Sequence, residues 1–257
     1  FLLENPSKIY RVDVVFPVMH GPHAEDGTIQ GLMELANIAY VGCDVMASAV
    51  AMDKAMAKAV FASHGLPQGD YLVVKRHEFE SDPQEVMNRI ESSLGYPCFI
   101  KPANMGSSVG ITKAYNREQL LKGLRHAGQY DRKLVVEAFI DGREIECSVL
   151  GNNHPQASIV GEIIPCNEFY DYNAKYFDDG KSALIIPAEL PEEKTEEIRQ
   201  LAIKVYKALD CSGMARIDFF VERHTQKVFV NEANTIPGFT KISMYPKLWE
   251  ATGISYS

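Results

Sequence analysis

The chain has 257 residues, 46% of them hydrophobic and 23% charged, enough for one large domain or two to three compact ones around a substantial core. A net charge of −8 argues against nucleic acid or an anionic membrane as the main partner, and no apolar run approaches the ~20 residues of a membrane span. Five scattered cysteines (Cys43, Cys98, Cys147, Cys166, Cys211) without a C-x-x-C suit buried, reduced thiols of a cytoplasmic protein better than a disulfide or zinc framework.

In chain order, "FLLENPSK" lacks the layout of a signal peptide and reads as a chain entered part-way. "VDVVFPV" (12–18) predicts a buried parallel strand, followed by a glycine-rich, charged turn and a helix in "IQGLMELANI". Residues 46–64 form one alanine-rich helical pattern that stops at Gly65 and Pro67. Strands are expected at 71–75, 98–101 and 110–115, and helices at 82–94 and 116–128, the second with Asn116 as N-cap. Three strand-like runs come next, "KLVVEAFI", "REIECSVLG" and "ASIVGEIIP". The irregular stretch 166–182, with five aromatics and four acids, is too long for a casual connection. Residues 191–210 carry the clearest helical pattern, with acids first and lysines last. "MARIDFFV", "KVFVNEAN", "TIPGFT" and a short helix from Ser243 close the chain. Alternating elements with a strand-rich middle indicate α/β or α+β architecture in more than one lobe.

Chemistry concentrates in "ARIDFF" and "VFVNEAN". Period-2 alternation places Glu232 and Asn234 on one strand face, and a hairpin through "RHTQ" brings Asp218 beside them. Two carboxylates and an amide are oxygen donors suited to magnesium, which keeps positions open for phosphate oxygens. The competing reading is a hairpin with a polar rim. Arg216 shares that face, either to stabilise charge developing during transfer or as the ion-pair partner of the acids. Lys54 and Lys101 end apolar segments, and a lysine after a buried strand lies at the sheet edge where ligands bind. "KPANMGSSVG" (101–110) has its lysine ahead of its glycines, so it is no P-loop; a different phosphate grip and an ordinary turn both remain open. In "EAFIDGRE", Glu137 and Glu144 flank the apolar Phe139 and Ile140, as an adenosine site or a strand turn with acids would.

Taken in order, "HGPHAEDGTIQG", "MDK", "IKPANMGSSVGI", "VEAFIDGREIEC", "FYDYNAKY", "ARIDFF" and "VNEANTIPGFT…SMYP" resemble the D-alanine–D-alanine ligase family of the ATP-grasp superfamily, over nearly the whole chain. The resemblance implies an ATP-grasp fold, with ATP between a central lobe (43–136) and a C-terminal lobe (137–257), after the remainder of a Rossmann-like N-terminal domain (1–42). It implies Lys54 and Lys101 on the phosphates, and adenine at Glu137 and the backbone near Ala138 and Ile140. Glu144 would take the ribose. Magnesium, usually two ions with manganese as a substitute, would be held by Asp218, Glu232 and Asn234. Ser107 belongs to the active-site network, and Lys175 and Tyr176 to a closing loop. Arg216 and the Gly238 backbone form the oxyanion hole. Ser243 and the Met244 backbone hold the carboxylate of the second D-alanine, and His20 and Glu25 line the side of the first. The implied enzyme is a cytoplasmic homodimer that makes D-alanyl-D-alanine for peptidoglycan through an acyl phosphate.

The family's first strand and glycine-rich loop, whose glutamate binds the first substrate's amine, do not occur in this sequence, and "GISYS" stands where the family continues into a terminal helix. Ala24 replaces a common glycine. The rival readings are a ligase joining D-alanine to D-lactate or D-serine, another ATP-grasp carboxylate–amine ligase, and a nucleotide-binding module without catalysis. The tyrosine of "YDYNAKY", Met244 where a D-serine ligase is expected to carry a basic residue, and the combined set Arg216, Asp218, Glu232 and Asn234 favour the D-alanine ligase.

Overall fold

A computed structural model of the chain describes residues 11–164 and 183–256. It opens with β1 (Val14–Val15), which pairs in parallel with β2 (Ala39–Tyr40) across α1 (Thr28–Leu35). The parallel pairing is as expected, but the strand is short and not buried: Val12, Val14, Phe16 and Val18 are exposed. Among the described residues only β2 lies beside it.

The single helix expected over 46–64 is two helices, α2 (Val45–Met52) and α3 (Lys54–Ser63). Asp53 is extended at the break, and its carboxylate accepts from the amides of Ala55 and Met56 at 3.1 and 3.2 Å. A capping aspartate gives α3 its own start and turns the chain between the two helices.

Beyond Gly65 the chain builds a first sheet from β3 (Tyr71–Lys75), β4 (Cys98–Pro102), β5 (Thr112–Ala114) and β6 (Lys133–Ala138), antiparallel in the order β3-β6-β4-β5. α4 (Arg76–Ser81), which the sequence pattern does not announce, α5 (Pro83–Ser93) and α6 (Arg117–Ala127) complete this lobe. Asp82 and Asn116 cap α5 and α6. Alternation divides the strand faces: Ile100, Leu134 and Val136 join Ile90, Leu120 and Leu124 in one core, while Phe99, Lys101, Val135 and Glu137 occupy the opposite face.

The second sheet contains β7 (Gly142–Leu150), β8 (Gln156–Ile164), β9 (Ala183–Ile185), β10 (Met214–Glu222) and β11 (Val228–Asn234), antiparallel in the order β11-β10-β7-β8-β9. α7 (Glu192–Ala208) covers one face, and its Ile198, Ala202, Val205 and Tyr206 pack with Ile145, Cys147, Ile217 and Phe219. Ala47 and Ala51 of α2 and Ala57 and Phe61 of α3 enter the same core. Phe61 is fully buried, and truncating such a side chain costs about 3–5 kcal/mol. α8 (Met244–Thr252) lies on the other face, where Ser148 Oγ donates to the Tyr245 carbonyl at 3.3 Å. Alternation therefore leaves Glu144, Glu146, Arg216, Asp218, Glu232 and Asn234 on the face away from α7.

Candidate active site

The β10–β11 hairpin has the register that the sequence pattern implies. Asp218 stands opposite Glu232, and Arg216 opposite Asn234; a bulge between Asp218 and Phe219 shifts the pairing beyond that point. Asn234 Nδ2 donates to Asp218 Oδ2 at 2.9 Å. Arg216 grips the same carboxylate with two parallel bonds, Nε to Oδ1 and Nη2 to Oδ2, both 2.7 Å. Glu146, buried on the neighbouring strand and opposite Asp218, meets Arg216 Nε at 2.9 Å. Burial by itself would lower the Arg216 pKa, but Asp218, Glu146 and Glu232 raise it overall, so the guanidinium is a fixed cation. Arg216 thus pairs with these acids, in a cleft lined by Glu144, Glu146, Ile163, Asp218 and Glu232. Asp218, Glu232 and Asn234 supply oxygen donors for a hard cation; among the described residues no three His, Cys, Asp or Glu side chains are grouped so as to hold a metal ion by themselves. An open set of this kind fits magnesium, which retains water and phosphate ligands.

The first sheet contributes cations. Lys54, first residue of α3, is anchored through its amide to the Ala103 carbonyl (2.9 Å), and its Nζ donates to the Met105 carbonyl at 3.0 Å. The same ammonium lies 3.6 Å from Glu232 Oε2, so a lysine beside the first sheet meets a carboxylate of the second. Lys101 Nζ donates to Glu137 Oε2 at 2.6 Å, and Lys58 Nζ lies 3.2 Å from Glu137 Oε1. Burial alone would raise the Glu137 pKa, yet the two lysines bring it down to about 2. The same carboxylate holds Lys101 above its ordinary value, while burial dominates at Lys58 and lowers it. The Ala138 amide already donates to the Asp70 carbonyl at 2.9 Å and is taken as a donor for a base; Ile140 reaches Gly69 at the same end of β6.

"KPANMGSSVG" spans β4 and a turn. Asn104 fastens its start, with amide and side chain both donating to Asp131 Oδ2 at 2.9 Å. Ser107 and Ser108 are left-handed, with φ of 52° and 60°. Gly106 faces Gly21 and Glu25: an added Cβ would lie 3.3 Å from Gly21 Cα and 3.9 Å from Glu25 Oε2. The glycine–serine turn therefore rests on the loop that carries His20 and Glu25. Glu25 accepts from the Gly21 amide at 2.8 Å, and burial, opposed by that bond and by His20, raises its pKa. His20 Nδ1 lies 3.1 Å from the Ile236 carbonyl, two residues beyond Asn234. Gly238 packs on Ser243, which precedes α8; a Cβ there would approach Ser243 Oγ to 2.8 Å. Met244 is buried against Ile163 and Leu248. Lys175 and Tyr176 lie outside the described residues. Three contributors had not been singled out from sequence: Lys58, Glu146 and Asp131. Lys58 carried a usable signal, because i to i+4 spacing puts it on the Lys54 face of α3.

Residues 2–43 match the family description D-ala D-ala ligase N-terminus, and residues 60–257 match D-ala D-ala ligase C-terminus. The chain belongs to the D-alanine–D-alanine ligase family. It has the ATP-grasp fold and is an ATP-dependent ligase. The D-alanine–D-alanine ligase of Thermoanaerobacter pseudethanolicus is 63% identical over 254 residues, which is 99% of this chain and 70% of that protein. That of Acetivibrio thermocellus is 59% identical over 250 residues, 97% of this chain and 66% of that protein. The structure of the Coxiella burnetii D-alanine–D-alanine ligase superposes with a TM-score of 0.82 at 41% identity, covering 96% of this chain and 66% of that one. VanG D-Ala:D-Ser ligase from Enterococcus faecalis superposes with a TM-score of 0.87 at 40% identity, covering 97% and 71%. The chain thus spans about two thirds of the length of these family members.

Proposed function

We propose that this D-alanine–D-alanine ligase chain joins two D-alanines through D-alanyl phosphate, supplying the dipeptide end of peptidoglycan precursors. The observation that carries the reading is the approach of Lys54 to Glu232 at 3.6 Å, where the lysine side of one sheet meets the carboxylate hairpin of the other. In the first step the γ-phosphoryl group moves from ATP to the carboxylate of one D-alanine, leaving ADP. Lys54 and Lys101 balance the phosphate charge; Glu137, Ala138 and Ile140 border the adenine, and Glu144 takes the ribose. Asp218, Glu232 and Asn234 would hold magnesium, two ions with manganese as a substitute, whose positive charge offsets that of the phosphate oxygens.

In the second step the amine of another D-alanine attacks the acyl carbonyl, gives up a proton and forms a tetrahedral oxyanion. That intermediate collapses with loss of phosphate. Arg216 and the Gly238 amide face the oxyanion, Ser243 and the Met244 amide the incoming carboxylate, and His20 and Glu25 the first D-alanine. Ser107, Lys175 and Tyr176 belong to the segments that exclude water from the acyl phosphate. We set domain limits after residues 42 and 136, with α2 and α3 between the lobes. We place the enzyme in the cytoplasm as a homodimer; four buried, unbridged cysteines among the described residues suit a reducing compartment, and no described helix is long and apolar enough to cross a membrane.

D-serine as the second substrate is the alternative, because the Enterococcus faecalis D-Ala:D-Ser ligase superposes as closely. Identities of 59–63% to D-alanine–D-alanine ligases favour D-alanine. ATP-dependent phosphate release by the full-length protein tests this. D-Alanine alone should support turnover, and its failure to do so would overturn the reading; faster turnover on added D-serine or D-lactate would replace the second substrate.

A further inference from the structure

Glu137 has two cations where one would balance it, and the two differ in access. The Lys58 side chain is 4% exposed and sits beneath the sheet, its Nζ 5.2 Å from the Tyr71 ring centroid. The Lys101 side chain is 12% exposed and lies within electrostatic reach of Glu144 and Glu232, two carboxylates that line the cleft. A buried ion pair is a weak source of stability, since desolvation offsets much of the Coulomb attraction, whereas leaving one buried charge alone is strongly unfavourable. Two lysines on one carboxylate are thus poorly explained by stability. They are well explained if one of them must let go.

We propose that Lys58 is a positioning residue for ATP, the resident counter-ion of Glu137, which lets Lys101 move from that carboxylate to a phosphate oxygen without stranding a buried negative charge. The inference rests on the reading that Lys101 meets ATP. Lys58 does not reach the nucleotide itself. Its place on α3 follows from Lys54 one turn earlier, so one helix face supplies a lysine for the cleft and a lysine for the carboxylate behind it. Gln68 Nε2 donates to the Lys58 carbonyl at 2.9 Å and fixes the backbone beneath it.

The test is a double-substitution cycle on the full-length protein, read as ATP affinity by calorimetry, with KM for D-alanine and thermal stability alongside. Lys58→Met should weaken ATP binding about tenfold or more while KM for D-alanine changes less than about threefold. Because Gln carries no charge to strand, Lys58→Met/Glu137→Gln should bind ATP within about twofold of Glu137→Gln alone. Should Lys58→Met fail to fold, that neutral pair carries the comparison. Unchanged ATP affinity in Lys58→Met would overturn the inference, as would a full tenfold loss on top of Glu137→Gln. Lys101→Met separates the two levels: if it binds ATP like the wild type, the nucleotide reading of Lys101 falls, whatever Lys58 does.

Discussion

Glu137 is one carboxylate shared by two lysines, and its pH behaviour follows from that. Its pKa falls from 4.5 to about 2 in the folded chain. A carboxylate with a depressed folded pKa adds stability that is complete above 4.5 and is lost as pH falls toward about 2. Glu137→Gln should flatten the dependence of the urea midpoint on pH across that window, removing on the order of 3 kcal/mol of acid-sensitive stability. A slope equal to that of the wild type would show that the carboxylate is not held ionised by its lysines. Arg216 makes a sharper demand. Its two 2.7 Å bonds to Asp218 need the planar fork of a guanidinium, which an ammonium does not reproduce. Arg216→Lys should lower kcat about 10²- to 10³-fold with ATP affinity nearly unchanged, read by phosphate release and calorimetry. A kcat within about threefold of wild type would remove Arg216 from the oxyanion hole.

At the level of elements, what the sequence revealed and what it hid have separate physical causes. The Arg216–Asp218 face was readable because alternation along β10 is strict: Ala215, Ile217 and Phe219 enter the core while Arg216 and Asp218 stay on the other face. The division of residues 45–63 into two helices was harder, since alanine propensity runs through both and only the capping of Asp53 marks the break. Lys58 was missed because a lysine in an alanine-rich helix is ordinarily solvated, and only the sheet packed over it reveals its burial. No period marks Glu146 as the second partner of Arg216, because cross-strand neighbours depend on register. Gly213 shows a constraint of the same origin. It has φ of +68° ahead of β10, and an added Cβ would lie 2.8 Å from the Gly42 amide nitrogen and 2.9 Å from its Cα. Gly213→Ala should lose at least about 2 kcal/mol, combining left-handed strain with a clash against backbone that has no rotamer to yield. A melting temperature within about one degree of wild type would contradict that packing.

Across the whole molecule, two sheets have separate cores: Val74, Ile90, Ile100 and Leu124 in one, Phe61, Tyr206, Ile217 and Phe219 in the other. The chain's single tryptophan, Trp249, belongs to the second lobe, packed with Met214 and Tyr245. Lobes with independent cores are expected to unfold separately unless something binds them together. Without nucleotide, Trp249 emission and far-UV ellipticity should follow different thermal transitions. A saturating non-hydrolysable ATP analogue should bring them together, because a ligand of the folded state raises the stability of whatever it contacts. Coincident transitions without nucleotide would mean that contacts such as Lys54–Glu232 already join the lobes into one cooperative unit.

The paired left-handed serines of the 101–110 turn have a bearing on how such an enzyme can be improved. A left-handed residue other than glycine costs roughly 1–2 kcal/mol, so Ser107→Gly and Ser108→Gly relieve strain in a chain where most changes add it. Selection for heat resistance alone would reward both substitutions. The same relief frees the turn to wander from Gly21 and Glu25, so the hardened enzyme would be the slower one.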